Sequence, residues 1–315
     1  MSTTYPAAPT LPAILPVPKE RGRIMGFIYR HPTIAVGGFL VATMILIAVF
    51  APYLGTKDPT ALAPAKRTRE PPMPLDWLNY WLGQDARPRN ADYWFGTDML
   101  GRDVYSRVLY GSRVSLMVGF SVAFCASILG TAIGLCSGFI RGMDAIVMRI
   151  MDGLMSIPPI LLAIALMALT RASVQNVIVA ISIAEFPRVS RLVRGVVLSL
   201  REQTFIQGAI SAGTRTPAIL FRHIPPNALT PISVQATYIA ASAVLIEAYL
   251  GFLGVGTPPE IPSWGNIIAE GRNFIMLAIW AVLFPGLFLG VMVLAINILG
   301  DGVGDLLDPR IAKRL

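Results

Sequence analysis

The sequence predicts an all-α membrane protein of six transmembrane helices with an outer insertion after the first. Three observations carry that prediction. Only 14% of the 315 residues are charged, against roughly 25% in a soluble domain. Apolar residues make up 54% of the chain and mean hydropathy is +0.63, which also excludes a disordered chain poor in Leu, Ile, Val and Phe. Finally, the apolar residues gather into runs of about 20, the length that crosses a hydrocarbon core.

In chain order, residues 1–32 read as a cytoplasmic tail with Lys19, Arg21, Arg23 and Arg30 against Glu20. The run 33–54 is an anchor rather than a cleaved leader, because it follows His31 and Pro32, is long, and lacks a small-residue cleavage site. Residues 55–112 form a periplasmic insertion that is nearly neutral and too polar to span. Its Trp77, Tyr80, Trp81, Tyr93 and Trp94 suit a headgroup interface. Asp98/Arg102 and Asp103/Arg107 stand at i,i+4, the spacing of a solvated, salt-bridged helix leading into the second span.

Residues 113–300 supply a core of five further spans, expected at 114–140, 150–170, 174–197, 229–253 and 275–299. The fourth run is broken by Glu185, Pro187, Arg188, Arg191 and Arg194. Parity retains it: six crossings return the tail 301–315, with Arg310, Lys313 and Arg314, to the cytoplasm as the positive-inside rule requires. The net charge of +8 is then a topology signal and not a nucleic-acid footprint, since no basic stretch interleaved with aromatics accompanies it. Cys125 and Cys136 share one apolar stretch, and His31 and His223 are far apart, so no disulfide framework, zinc site or catalytic cluster is built from them.

Glu247 sits within the fifth span, where a carboxylate is costly and marks either a pathway wall or polar packing. Glu185 precedes Arg188 by three residues and can pair with it on one helix face. The run 257–265, TPPEIPSWG, is stiffened by proline. Its Pro258, Pro259 and Trp264 suit an outer gate or a contact for a binding protein, or equally a rigid cap on the bundle.

Residues 201–227 form the longest inner loop and read as two short helices around a turn. Gly213 can adopt the left-handed conformation that ends the first helix. Thr216 and Pro217 open the second, and Pro225 and Pro226 stop it. A compact element of this kind transmits a displacement that a flexible loop would absorb.

The stretch REQTFIQGAISAGTRTPAILFRHIPPNALTPISVQA resembles the cytoplasmic loop of ABC importer permeases, whose pattern is Glu-Ala-Ala, three residues, Gly, nine residues, then Ile-x-Leu-Pro. The corresponding positions are Gln207, Gly208, Ala209, Gly213, His223, Ile224, Pro225 and Pro226; Gln207 replaces the acid, Gly208 an alanine and Pro225 the leucine. FGTDMLGRDVYSRVLYGSRVSL, LIEAYLGFLGVGTPPEIPSWGNIIAEGR and NILGDGVGDLLDPR resemble, in that order, the dipeptide, oligopeptide and nickel branch. The likeness covers about 95–310.

The resemblance implies a type I ABC importer permease that moves peptides or a related small solute by alternating access. It implies a second homologous permease, two ATPase subunits carrying ATP and Mg, a periplasmic substrate-binding protein and the surrounding lipid as partners, with the named loop residues coupling to the ATPase. The chain itself has no phosphate-cradling G-x-x-x-x-G-K-[ST], so no cofactor and no catalysis are expected on it. The alternative is an ion-coupled secondary transporter, which calls for midplane charges and an inverted repeat; Glu247 and Glu185 are the only such acids, and no repeat is evident. A membrane-embedded enzyme lacks a nucleophile with a base, metal spacing and a cofactor loop.

Overall fold

The computed structural model describes residues 28–73, 76, 80–83, 88 and 90–307. Most of the expected N-terminal tail, Trp77, and Arg310, Lys313 and Arg314 lie outside the described residues.

Helix α1 (Pro32–Phe50) opens on a proline and carries no charge along its 19 residues, as a lipid-embedded helix should. Helix α2 (Val104–Phe139) runs for 36 residues and is capped by Asp103, whose side chain accepts from Ser106 N, satisfying an orphan amide. Next come α3 (Arg141–Met155) and α4 (Pro159–Ala168). Helix α5 (Val174–Arg201) is capped in the same way by Ser173, whose hydroxyl accepts from Asn176 N.

Helix α6 (Thr204–Ser211) and the single turn α7 (Thr216–Ala218) lead through a π-helical turn (Ile219–His223) into α8 (Pro225–Phe252). Helix α9 (Trp264–Gly271), capped by Ser263, precedes α10 (Trp280–Leu307).

Glycines set how closely these helices approach. On α2, a Cβ at Gly134 would stand 2.7 Å from Val193 Cβ and one at Gly138 2.8 Å from Val197 Cβ, while Gly130 faces Val189 in the same register. Small residues four apart let backbones touch where lipid offers no hydrophobic drive to association. Because both numberings ascend together, α2 and α5 run parallel. By the same reading Gly37 against Leu299 and Gly302 against Ile34 make α1 and α10 antiparallel, and Gly300 against Thr237 with Gly304 against Val234 make α8 and α10 antiparallel. These directions are the ones that alternating crossings require.

Among the described residues, four helices, α1, α2, α8 and α10, are each long and apolar enough to cross a membrane, and the bent pair α3 and α4 passes the same test together. Helix α5 has the length, with 28 residues, but carries Glu185, Arg188, Arg191, Arg194 and Arg201. The third expected span, 150–170, is not one straight helix: Gly142–Met155 and Pro159–Ala168 are bent by 87° at the break between them, a broken span or a re-entrant loop. Pro158 and Pro159 are the cause, since proline lacks the donor for a helical hydrogen bond and disfavours the helical conformation in the residue before it. Helix α3 is amphipathic, and Arg194 holds its Asp144 through Nε at 2.5 Å and Nη2 at 2.7 Å; Arg191 pairs with its Asp152.

Two further expectations are corrected. Residues 98–103 form a turn closed by an isolated bridge between Thr97 and Asp103, not an amphipathic helix. Tyr93 is buried beneath Lys57 Nζ, 3.7 Å from its ring centroid, so it does not face headgroups. The insertion is pinned to the bundle by Trp280 Nε1 donating to Thr97 O at 3.0 Å and by Phe95 stacked on Phe284 at 3.9 Å.

Candidate functional site

The loop 201–227 lies at the end of the bundle opposite the insertion, because α2 leads away from the insertion and α5 runs parallel to it. Helix α5 stops at Arg201 and α6 begins at Thr204, so the helical run expected from 201 to 212 is interrupted. Ile206, Ile219 and Ile224 are fully buried and clamp the loop to the bundle. Gln207, Gly208 and Gly213 are exposed and Ala209 is half-buried. Gln207 Nε2 donates to Arg201 O at 2.9 Å, which ties α6 back to the end of α5.

Gly213 has φ +77, a conformation with a steric penalty for any residue bearing a Cβ. Its N–H donates to Ile210 O at 3.0 Å, and Thr214 N donates to Ala209 O at 3.0 Å, closing the helix end. Pro225 and Pro226 follow the end of the second helical run at His223, as expected, and they also occupy the first turn of α8, where a missing N–H costs nothing. His223, half-buried, ends the π-helical turn. Gly208 has nothing within 4 Å of where a Cβ would stand, so Gly208→Ala should gain about 0.5–1 kcal/mol of helix preference. Slower amide hydrogen exchange across α6 is the expected readout; unchanged or faster exchange refutes it.

Glu247 is buried at 1% exposure, and Ser115 Oγ on α2 donates to its Oε2 at 2.9 Å. Trp264 is wholly buried and its Nε1 donates to Val108 O at 3.1 Å, so within this chain it anchors α9 to α2. Pro259 is exposed and Pro258 half-buried. Asn266 Nδ2 donates to Thr257 O and Pro258 O, each at 3.1 Å, which stiffens this run.

An ion cluster joins the insertion to α9. Arg107 Nη1 donates to Asp98 Oδ2 at 2.9 Å and Glu270 Oε2 at 2.6 Å. Arg102 Nε donates to Asp98 Oδ2 at 2.6 Å, and Arg102 also pairs with Glu270. Asp103 caps α2 instead of pairing with Arg107; burial holds its carboxyl above the usual carboxylate range, opposed by hydrogen bonds from Ser106. Glu270 stands 163 residues from Arg107, so no local pattern announces the pair.

A bundle of long apolar helices, close-packed through glycine and carrying a clamped helical loop at one end, defines a polytopic membrane protein. Residues 115–313 match the family described as binding-protein-dependent transport system inner membrane component, and the chain belongs to it. Among its relatives, the probable peptide ABC transporter permease protein y4tQ of Sinorhizobium fredii is 47% identical over 285 residues, 90% of this chain and 91% of that protein. The dipeptide transport system permease protein DppC of Alkalihalophilus pseudofirmus is 42% identical over 276 residues, 87% and 85% of the two chains. The glutathione transport system permease protein GsiD of Pectobacterium atrosepticum is 38% identical over 288 residues, 90% and 89%.

An inward-facing structure of the MetNI methionine ABC transporter shares the fold, with a TM-score of 0.55 at 20% identity, covering 64% of this chain and 96% of that one. The chain is thus a multi-pass inner-membrane permease of an ABC importer, which works with ATPase and binding-protein components and is not itself catalytic. The ion-coupled alternative is not favoured.

Proposed function

We propose that this chain carries peptides inward by alternating access, paired with a second homologous permease above two ATPase subunits that bind ATP and Mg, and fed by a periplasmic binding protein. Both termini are cytoplasmic, and the insertion 55–112 faces the periplasm. The loop 201–227, with Gln207, Gly208, Ala209, Gly213, His223, Pro225 and Pro226, receives the movement of the ATPases and passes it to α5 and α8. Pro258 and Pro259 stand at the outer mouth, toward the binding protein. The relatives named for peptide and dipeptide transport support the substrate class.

The observation that carries the coupling role is an exposed α6 whose end is closed by Gly213 at φ +77 while Ile206 and Ile224 clamp it to the bundle. Proline holds φ near −65°, so Gly213→Pro breaks that closure. With the importer reconstituted in vesicles, ATP-dependent uptake of a labelled dipeptide should be lost while the subunits still co-purify. Full uptake by the variant would overturn the coupling role.

A further inference from the structure

Arg188 is the fifteenth of the 28 residues of α5, roughly 20 Å from either end at 1.5 Å per residue. Its side chain is nevertheless 44% exposed in this chain. A guanidinium at that depth is costly against lipid, so it faces either a second protein surface or water. Arg188 Nη1 lies 3.1 Å from Glu185 Oε2, and Glu185 is fully buried with Ser242 Oγ of α8 donating to its other oxygen at 3.0 Å. Glu185 thus holds the guanidinium by charge from one side, with no hydrogen bond on Oε2, and the guanidinium keeps N–H donors for another acceptor.

On the same exposed stripe of α5, Arg191 follows one turn on, and Gly195 has nothing within 4 Å of a Cβ position. Arg191 and Arg194 are already matched by Asp152 and Asp144 of α3. Among the described residues, Arg188 differs from them in that the acid it pairs with is the buried one behind it.

We propose that Arg188, positioned by Glu185 and Ser242, is a binding point on the wall of the translocation pathway for the carboxylate of the transported peptide. A guanidinium fork meets a carboxylate through two parallel hydrogen bonds, which a lysine ammonium does not reproduce. This inference rests on the peptide-importer reading given above.

The test uses the complete importer in vesicles. In a background with Cys125 and Cys136 replaced by alanine, Arg188→Cys should react with a water-soluble anionic thiol reagent, and a peptide with a free carboxylate should slow that reaction more than its C-terminal amide. Arg188→Gln should lower uptake of the free-acid peptide about tenfold, the loss of one charge-assisted contact, with Arg188→Lys intermediate. An unreactive Arg188→Cys, equal protection by acid and amide, or unchanged uptake by Arg188→Gln overturns the inference while wild-type uptake stands. If the wild-type importer takes up no peptide, the peptide reading falls and this one with it.

Discussion

Arg107→Ala should destabilise the purified permease by about 3 kcal/mol, because it leaves two carboxylates facing one guanidinium in a partly buried site. The Arg107 side chain is 3% exposed and that of Asp98 10%, whereas Glu270 is 32% exposed. Water reaching Glu270 places the cost at the low end of the range for breaking a buried pair. The loss should appear as a lower thermal midpoint in detergent and as faster proteolysis of the insertion, which this cluster ties to α9. Adding Glu270→Gln removes the excess acid, so the double variant should recover part of the loss. A midpoint equal to wild type for Arg107→Ala would show that the cluster contributes nothing to the fold.

Gly134→Leu should have a comparable effect by a different route. A Cβ there would stand 2.7 Å from both Ser190 O and Val193 Cβ, and neither a helix backbone nor a β-branched side chain yields readily. Overpacking of this kind typically costs about 1–3 kcal/mol, and about 3 is expected here because the branched side chain adds to the clash of its first carbon. Gly153→Ala is the matched control, since nothing lies within 4 Å of its Cβ position. Val193→Ala in the Gly134→Leu background should restore part of the loss, a coupling that a double-mutant cycle measures. Equal stability of Gly134→Leu and wild type would refute the close α2–α5 contact.

Local patterns suffice wherever the decisive partner lies nearby in the chain. The left-handed turn at Gly213 follows from glycine in a polar segment after a helical run, and the Glu185–Arg188 pair from a spacing of three residues on one helix. The bend at Pro158 and Pro159 is also legible, but the mostly apolar run across 150–170 masks it. Pro225 and Pro226 read as stops and are also starts: one helical run ends at His223 and α8 begins at Pro225, and only the neighbouring structure reveals the second use.

Composition and periodicity are local properties, and they were enough for the membrane class and the succession of long apolar helices; resemblance to a family added the importer reading. It took the packed fold to join Glu270 to Asp98, Arg102 and Arg107, to turn Trp264 inward onto Val108, and to set Ser242 behind Glu185. Each of these depends on which faces of distant helices meet. Glycines four apart mark a face for close approach, as at Gly130, Gly134 and Gly138, but the spacing does not say which distant helix meets that face.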